Sequence, residues 1–98
     1  MNVCKRDETI VVSSGSGEVT TTIPLHGLIT LIGFKPPAAG VDYDVQVLDE
    51  AGYLLYAEND LVGDTTISLE KLCNSRITLK ISGASADGSF SARLYARG

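Results

Sequence analysis

The chain has 98 residues, enough for a single domain. Its formal net charge of −4 is unfavourable for a protein that binds nucleic acid by neutralising phosphates. No apolar run approaches the roughly 18–20 residues needed to span a bilayer, and residues 5–8 are charged where a secretory signal needs an apolar core. We therefore expect neither a nucleic-acid partner nor a membrane partner.

The first quarter of the chain divides into an arm and two strands. Residues 1–8 are polar and do not alternate, so we expect an amino-terminal arm ahead of a β domain formed by residues 9–98. β-Branched residues then predict strands at residues 9–13 and 18–23. The glycines in residues 14–17 allow the turn between them.

Residues 28–34 are apolar on both alternating faces. Such a strand is covered on both sides, either by a second sheet or by another subunit. We take its large apolar residues as a candidate oligomer interface: Leu28, Ile29, Leu31, Ile32 and Phe34.

The middle of the chain predicts a strand, a tight turn and a returning strand. Asp49 can accept hydrogen bonds from its own following backbone, and Gly52 can supply a positive φ. After the returning strand we expect a loop, a further strand, and a short helical turn or irregular crossing. These elements are predicted, in order, at residues 42–49, 49–52, 53–57, 59–64, 65–69 and 70–74.

The last quarter alternates apolar and polar residues on both sides of Asp87 and Gly88. Because a period of two puts every second side chain on one face, residues 76–95 predict a half-buried hairpin closed at this pair, with Gly88 at positive φ. The chain then has about eight short strands spaced roughly 8–12 residues apart. This indicates an all-β fold, a single antiparallel β-sandwich of the jelly-roll or immunoglobulin-like type.

Chemically capable residues are scattered along the chain. His26 is the single histidine and has no nucleophile or acidic partner nearby in sequence. Cys4 and Cys73 make a poor metal pair, and without a secretion signal we expect both to be free thiols. Asp42 and Asp44 share a strand face, but the chain lacks a calcium-binding ladder. We predict no catalytic, cofactor-binding or metal site, and a protein that is not an enzyme.

Three segments carry a family resemblance: YDVQVLDEAG at residues 43–52, DLVGD at residues 60–64 and ISGASADGSF at residues 81–90. They resemble small β-rich virion proteins of tailed bacteriophages, in which a YDV-x-V-x-D-x-x-G hairpin precedes a GL-x-G loop and a NASADG-x-Y-x-V hairpin. The resemblance covers about residues 28–97. It implies a capsid decoration or cement protein, assembled in the host cytoplasm, that binds the major capsid protein or another virion protein as a homo-oligomer, with a trimer favoured.

A second interpretation is a carbohydrate- or receptor-binding module of a head fibre or tail appendage. Its sequence basis is a set of four tyrosines, Tyr43, Tyr53, Tyr56 and Tyr95, although the absence of Trp favours packing roles for them. The two interpretations differ in the surface they require. A cement protein covers apolar surface with its neighbours, whereas a receptor binder exposes a groove with convergent polar groups.

Overall fold

The computed structural model describes residues 3–12, 18–73 and 75–97, and every regular element in these ranges is a β-strand. The predicted turn at residues 14–17 lies outside the described residues, as does Asn74. No helix that could cross a membrane is found in the described ranges. The strands are β1 (Val3–Val12), β2 (Glu18–Pro24), β3 (Gly27–Lys35), β4 (Asp42–Leu48), β5 (Leu54–Val62), β6 (Thr65–Cys73), β7 (Arg76–Ser82) and β8 (Gly88–Arg97).

The strands form two antiparallel four-stranded sheets: sheet A in the order β1-β8-β3-β6 and sheet B in the order β2-β7-β4-β5. Four pairs (β1 with β8, β2 with β7, β3 with β6, β4 with β5) make one long ribbon folded at its middle. Rolling this ribbon adds the pairs β3–β8 and β4–β7, which complete the sheets. The predicted eight-stranded sandwich is confirmed, and its strand order is that of a jelly roll.

The ribbon is folded at the turn between β4 and β5, the one pair among the described strands that is adjacent both in sequence and in a sheet. The Asp49 carboxylate accepts hydrogen bonds from the amides of Ala51 at 2.9 Å and Tyr53 at 2.8 Å. Gly52 has a φ of 87°. Both features predicted for this turn are confirmed.

The predicted closing hairpin is wrong. β7 lies in sheet B and β8 in sheet A, so residues 83–87 cross from one sheet to the other. Alternation determines which side chains face the core but not which strand lies beside which, and Ile81 and Phe90 reach the same core from opposite sheets. Gly88 does have a positive φ, 144°, but as the first residue of β8.

Three segments are strand where the sequence indicated otherwise. Residues 3–8, expected in an arm, belong to β1 and pair with residues 92–97 of β8. Ladder hydrogen bonds do not need apolar side chains, and charged residues are common on edge strands because they oppose sheet-to-sheet aggregation. Residues 59–62 continue β5 and residues 70–73 continue β6, where we had expected a loop and a helical or irregular crossing.

Tyr43 joins the two sheets inside a mainly aliphatic core. With Val45 and Val47 it forms the buried face of β4. Its ring meets Phe90 of sheet A edge-on, with centroids 5.2 Å apart, and its hydroxyl donates to the Gly63 carbonyl at 2.7 Å. Burial raises the pKa of this hydroxyl. One side chain therefore links β4, β8 and the connection from β5 to β6.

Candidate functional site on the outer face of sheet A

The structure divides the predicted interface residues between two environments. Ile29, Ile32 and Phe34 lie in the core of the single chain, with exposed fractions of 0%, 0% and 2%. They are unavailable to a second subunit because the facing sheet already covers them. Leu28 and Leu31 are half-buried on the opposite, outer face of sheet A.

A β-bulge explains why β3 looked apolar on both faces. The register of β3 shifts between Ile29 and Leu31 against both neighbours. Thr30 is an extra residue relative to β8, whereas relative to β6 the extra residue lies in β6, between Ser68 and Lys71. The Thr30 hydroxyl donates to the Tyr95 carbonyl at 3.2 Å. The bulge lets Ile29 and Ile32 face the core together although they are three residues apart, which a regular strand forbids.

One end of the outer face of sheet A carries three leucines, with Arg97 opposite Leu28 on β8 and Ser68 opposite Leu31 on β6. Leu28 lies opposite Leu72 of β6, and Leu31 follows in the next row toward the centre of the sheet. Leu72 is 79% exposed, the highest value among the large exposed hydrophobic residues described. We call these three leucines the Leu72 patch.

The other end of the same face contains a groove of about 530 Å³ with Gly33 at its floor and with both polar and apolar residues in its lining. All four strands of sheet A, together with the residues next to their ends, contribute to it. We call it the Gly33 groove, and its main polar lining residues are Asp7, Lys35, Asp64, Thr66, Ser91 and Arg93.

Strand register places the central residues of the groove in one row across sheet A. Asp7 lies opposite Arg93, Arg93 opposite Gly33, and Gly33 opposite Thr66. Arg93 donates two hydrogen bonds to the Asp7 carboxylate, from Nε to Oδ1 at 2.6 Å and from Nη2 to Oδ2 at 3.2 Å. These bonds hold the pKa of the Asp7 carboxyl below its usual range and raise the pKa of Arg93.

The two remaining charged groups of the groove differ from this pair. Lys35 and Asp64 are exposed, and neither side chain forms a hydrogen bond or ion pair with another described residue. The groove therefore combines one fixed ion pair with one ammonium and one carboxylate that are open to a ligand.

The other chemically capable residues do not converge. His26 is exposed in the link from β2 to β3. Cys73 has a free, buried thiol whose pKa is raised by burial, while the side chain of Cys4 lies outside the described residues. Asp44 accepts a hydrogen bond from the Asp60 amide at 2.8 Å. In the part of the chain that is described, no group of three His, Cys, Asp or Glu side chains could hold a metal ion.

The four tyrosines are dispersed and form no shared platform. Tyr43 lies in the core, Tyr53 is exposed at the β4–β5 turn, and Tyr56 donates to Glu58 at 2.9 Å. Tyr95 lies on the outer face of sheet A, one row from the Gly33 groove, and its side chain interacts with Arg93. Sequence reasoning missed the groove because its residues come from four separate segments. Gly33, a glycine inside an otherwise apolar strand, was the one local signal.

Comparison with known proteins gives a structural likeness only. No protein-family model and no curated protein matches the chain. It is similar to VP2 of the infectious bursal disease virus subviral particle, at 13% identity and a TM-score of 0.46, over 99% of this chain and 32% of that one. A structure of the Gx strain of the same virus gives 12% identity and a TM-score of 0.42, over 99% and 33%. The chain thus spans about a third of these solved chains, and we draw no functional argument from the likeness.

Proposed function

We propose that this chain is a non-enzymatic structural protein of a virion, a capsid decoration or cement protein that binds the shell as a symmetric oligomer. The trimer is the favoured state, and the partner is the major capsid protein or another virion protein. The observation that carries the proposal is the Leu72 patch, an apolar surface on a sheet face that the chain itself leaves uncovered.

The patch has the character of an interface centre. Interface cores are apolar and depleted in charge, and fully burying a leucine contributes about 1.5–3 kcal/mol relative to leaving it exposed. Leu72 is 79% exposed, so nearly all of that gain is still available. The molecule measures 39 × 25 × 19 Å, so its broad face is large enough for the roughly 800 Å² per partner of a standard interface.

Two weaker observations agree with this proposal. Jelly rolls recur in viral capsid domains, although they recur equally in lectins and cupins, and a fold alone does not establish a function. The motifs that resemble phage virion proteins include the β4–β5 turn and the crossing from β7 to β8. These segments shape the sandwich, so the resemblance favours the fold and adds support to the virion role.

The test is a charge placed in the patch. We expect Leu72→Glu to leave the melting temperature nearly unchanged and to weaken co-sedimentation with undecorated capsid shells at least roughly tenfold, equivalent to about 1.4 kcal/mol. Leu54→Glu is the matched control, because Leu54 is 54% exposed on β5 of sheet B. Equal binding by both variants, or no binding by the unaltered chain, would contradict the proposal. Size-exclusion chromatography with light scattering reports the oligomeric state.

A further inference from the structure

We propose that the Gly33 groove binds a neutral, hydroxyl-rich ligand, namely one or two units of an oligosaccharide. This inference goes beyond the structural role above. It uses no part of the Leu72 patch, and it stands or falls on different variants.

Gly33 is the first argument, because no contact with the described residues requires a glycine there. Its φ lies outside the left-handed region, and an added Cβ would meet only the Thr65 carbonyl oxygen, at 4.0 Å. Glycine in the interior of a strand weakens the strand and often marks a place where a ligand approaches the backbone. Gly33 occupies an interior strand of sheet A and leaves the floor of the groove open.

The charges of the groove define the ligand class. Two carboxylates, Asp7 and Asp64, are balanced by two cations, Lys35 and Arg93, so the lining has no net charge. Such a lining does not favour a phosphate or a strongly charged peptide. It presents strong acceptors beside strong donors, and sugar hydroxyls can both donate and accept. A neutral saccharide satisfies both kinds of group at once.

The groove is also ordered before a ligand arrives. Arg93 is held by two hydrogen bonds from its guanidinium to Asp7 and by its interaction with Tyr95. A guanidinium has five N–H donors, and only two of them are used by Asp7 in this arrangement. Because Arg93 is already fixed, binding loses little side-chain entropy there.

The dimensions agree with a small ligand. A volume of about 530 Å³ lies within the roughly 300–1,000 Å³ typical of ligand pockets. Thr66 adds a hydroxyl group opposite Gly33, and Ser91 adds one opposite Lys35. The charged and hydroxyl groups in its lining distinguish the groove from the Leu72 patch.

The experiment uses the full chain and amide chemical shifts from NMR. Maltotriose, cellotriose and lacto-N-neotetraose are added separately up to about 10 mM, a concentration that mostly fills a millimolar site. At least one should shift the amides of Gly33, Thr66 and Ser91 in a saturable way. Inorganic phosphate and an acidic peptide are added in parallel.

The decisive variant is Gly33→Val, which fills the groove with a residue that suits a strand. We expect a melting temperature equal to or above that of the unaltered chain, together with at least roughly tenfold weaker saccharide binding. Gly40→Val is the control, since a Cβ at Gly40 meets nothing within 4 Å in an exposed loop. If Gly33→Val fails to fold, Gly33→Ala and Asp64→Asn serve the same purpose.

The outcomes separate cleanly. Saturable shifts in the groove that are lost on Gly33→Val and retained on Gly40→Val support the site. Absence of shifts with all three saccharides, or binding by Gly33→Val equal to that of the unaltered chain, overturns it. Shifts with phosphate or the peptide alone overturn the saccharide class. Loss of shell binding on Leu72→Glu concerns only the virion proposal.

Discussion

The turn at residues 49–52 and the crossing at residues 83–87 use similar residues for different connections. Both contain glycine at positive φ, with Gly52 at 87° and Gly83 at 61°. In the turn, the Asp49 carboxylate bonds amides within its own loop. In the crossing, the Ser85 amide donates to the Asp42 carbonyl and the Ser85 hydroxyl accepts from the Asp42 amide, both at 2.9 Å.

The difference extends to the space around each glycine. A Cβ on Gly52 would meet nothing within 4 Å, whereas a Cβ on Gly88, at the end of the crossing, would lie 2.7 Å from the Pro37 Cβ. The turn is therefore determined locally, and the crossing is determined by distant segments of the chain. Substitutions in the turn should therefore act through its own hydrogen bonds, and substitutions in the crossing through contacts with distant residues.

The largest effect is expected for Gly88→Val. Its φ of 144° is strained for any side chain, and the new atoms collide with Pro37. Strain of about 1–2 kcal/mol and overpacking of about 1–3 kcal/mol together predict a loss of roughly 3 kcal/mol. Urea unfolding measures it. Gly40→Val, in the same loop as Pro37 but in open space, should change stability by under about 0.5 kcal/mol; equal losses would refute the role of Pro37.

Tyr43→Phe should lower the free energy of unfolding by about 1–2 kcal/mol, because it removes a buried hydroxyl. The Gly63 carbonyl then keeps only the longer hydrogen bond from the Thr65 hydroxyl, at 3.4 Å. This variant probes another connection that crosses between the sheets, the one from β5 to β6. Tyr56→Phe is the control, since the Tyr56 hydroxyl bonds the exposed Glu58 carboxylate. Thermal melts of both variants should show a clear loss only at Tyr43.

Asp49→Ala should cost about 1 kcal/mol, the net value of hydrogen bonds to two loop amides. Asp87→Ala is the direct comparison. Asp87 is exposed and makes no hydrogen bond to another described residue, so its loss should be below about 0.5 kcal/mol. Equal effects in chemical denaturation would mean that the two segments are determined in the same way after all.

The smallest effect on stability is expected at the β1–β8 pair, the end of the ribbon away from the β4–β5 turn. There Arg93 lowers the pKa of Asp7 below its ordinary 3.8. A depressed carboxyl pKa stabilises the fold above the ordinary value, and the contribution is lost as the pH falls through the lowered value. The stability difference between the unaltered chain and Asp7→Asn should be present at neutral pH and should shrink as the pH falls below 3.8. A difference that grows on acidification would contradict the assignment.

Inward-facing residues were predictable from the sequence, and strand partners were not. Ile77, Leu79 and Ile81 alternate as half-buried strands must, and all three are buried. Nothing in that pattern says that β7 lies between β2 and β4, because pairing depends on segments tens of residues away. The same argument applies to Thr30, whose bulge is visible only once β8 lies beside β3.

The candidate site was less predictable than the fold. Leu28 and Leu31 were chosen from the strand they share, and they do lie on the outer face of sheet A. The Gly33 groove requires Asp7 from β1 and Arg93 from β8, which are 86 residues apart in the chain. Only the rolled ribbon brings these two side chains together. Local sequence could have indicated no more than an unexplained glycine.

The place of β8 has a consequence for how the protein is made. β8 follows the other seven strands in the chain, yet it lies between β1 and β3 inside sheet A. Synthesis proceeds at about 5–20 residues per second. β1 and β3 are therefore made before β8, and neither can pair with β8 until it has left the ribosome. Folding dominated by such distant pairings is slow. The nascent chain therefore exposes incomplete sheet edges until β8 has been synthesised.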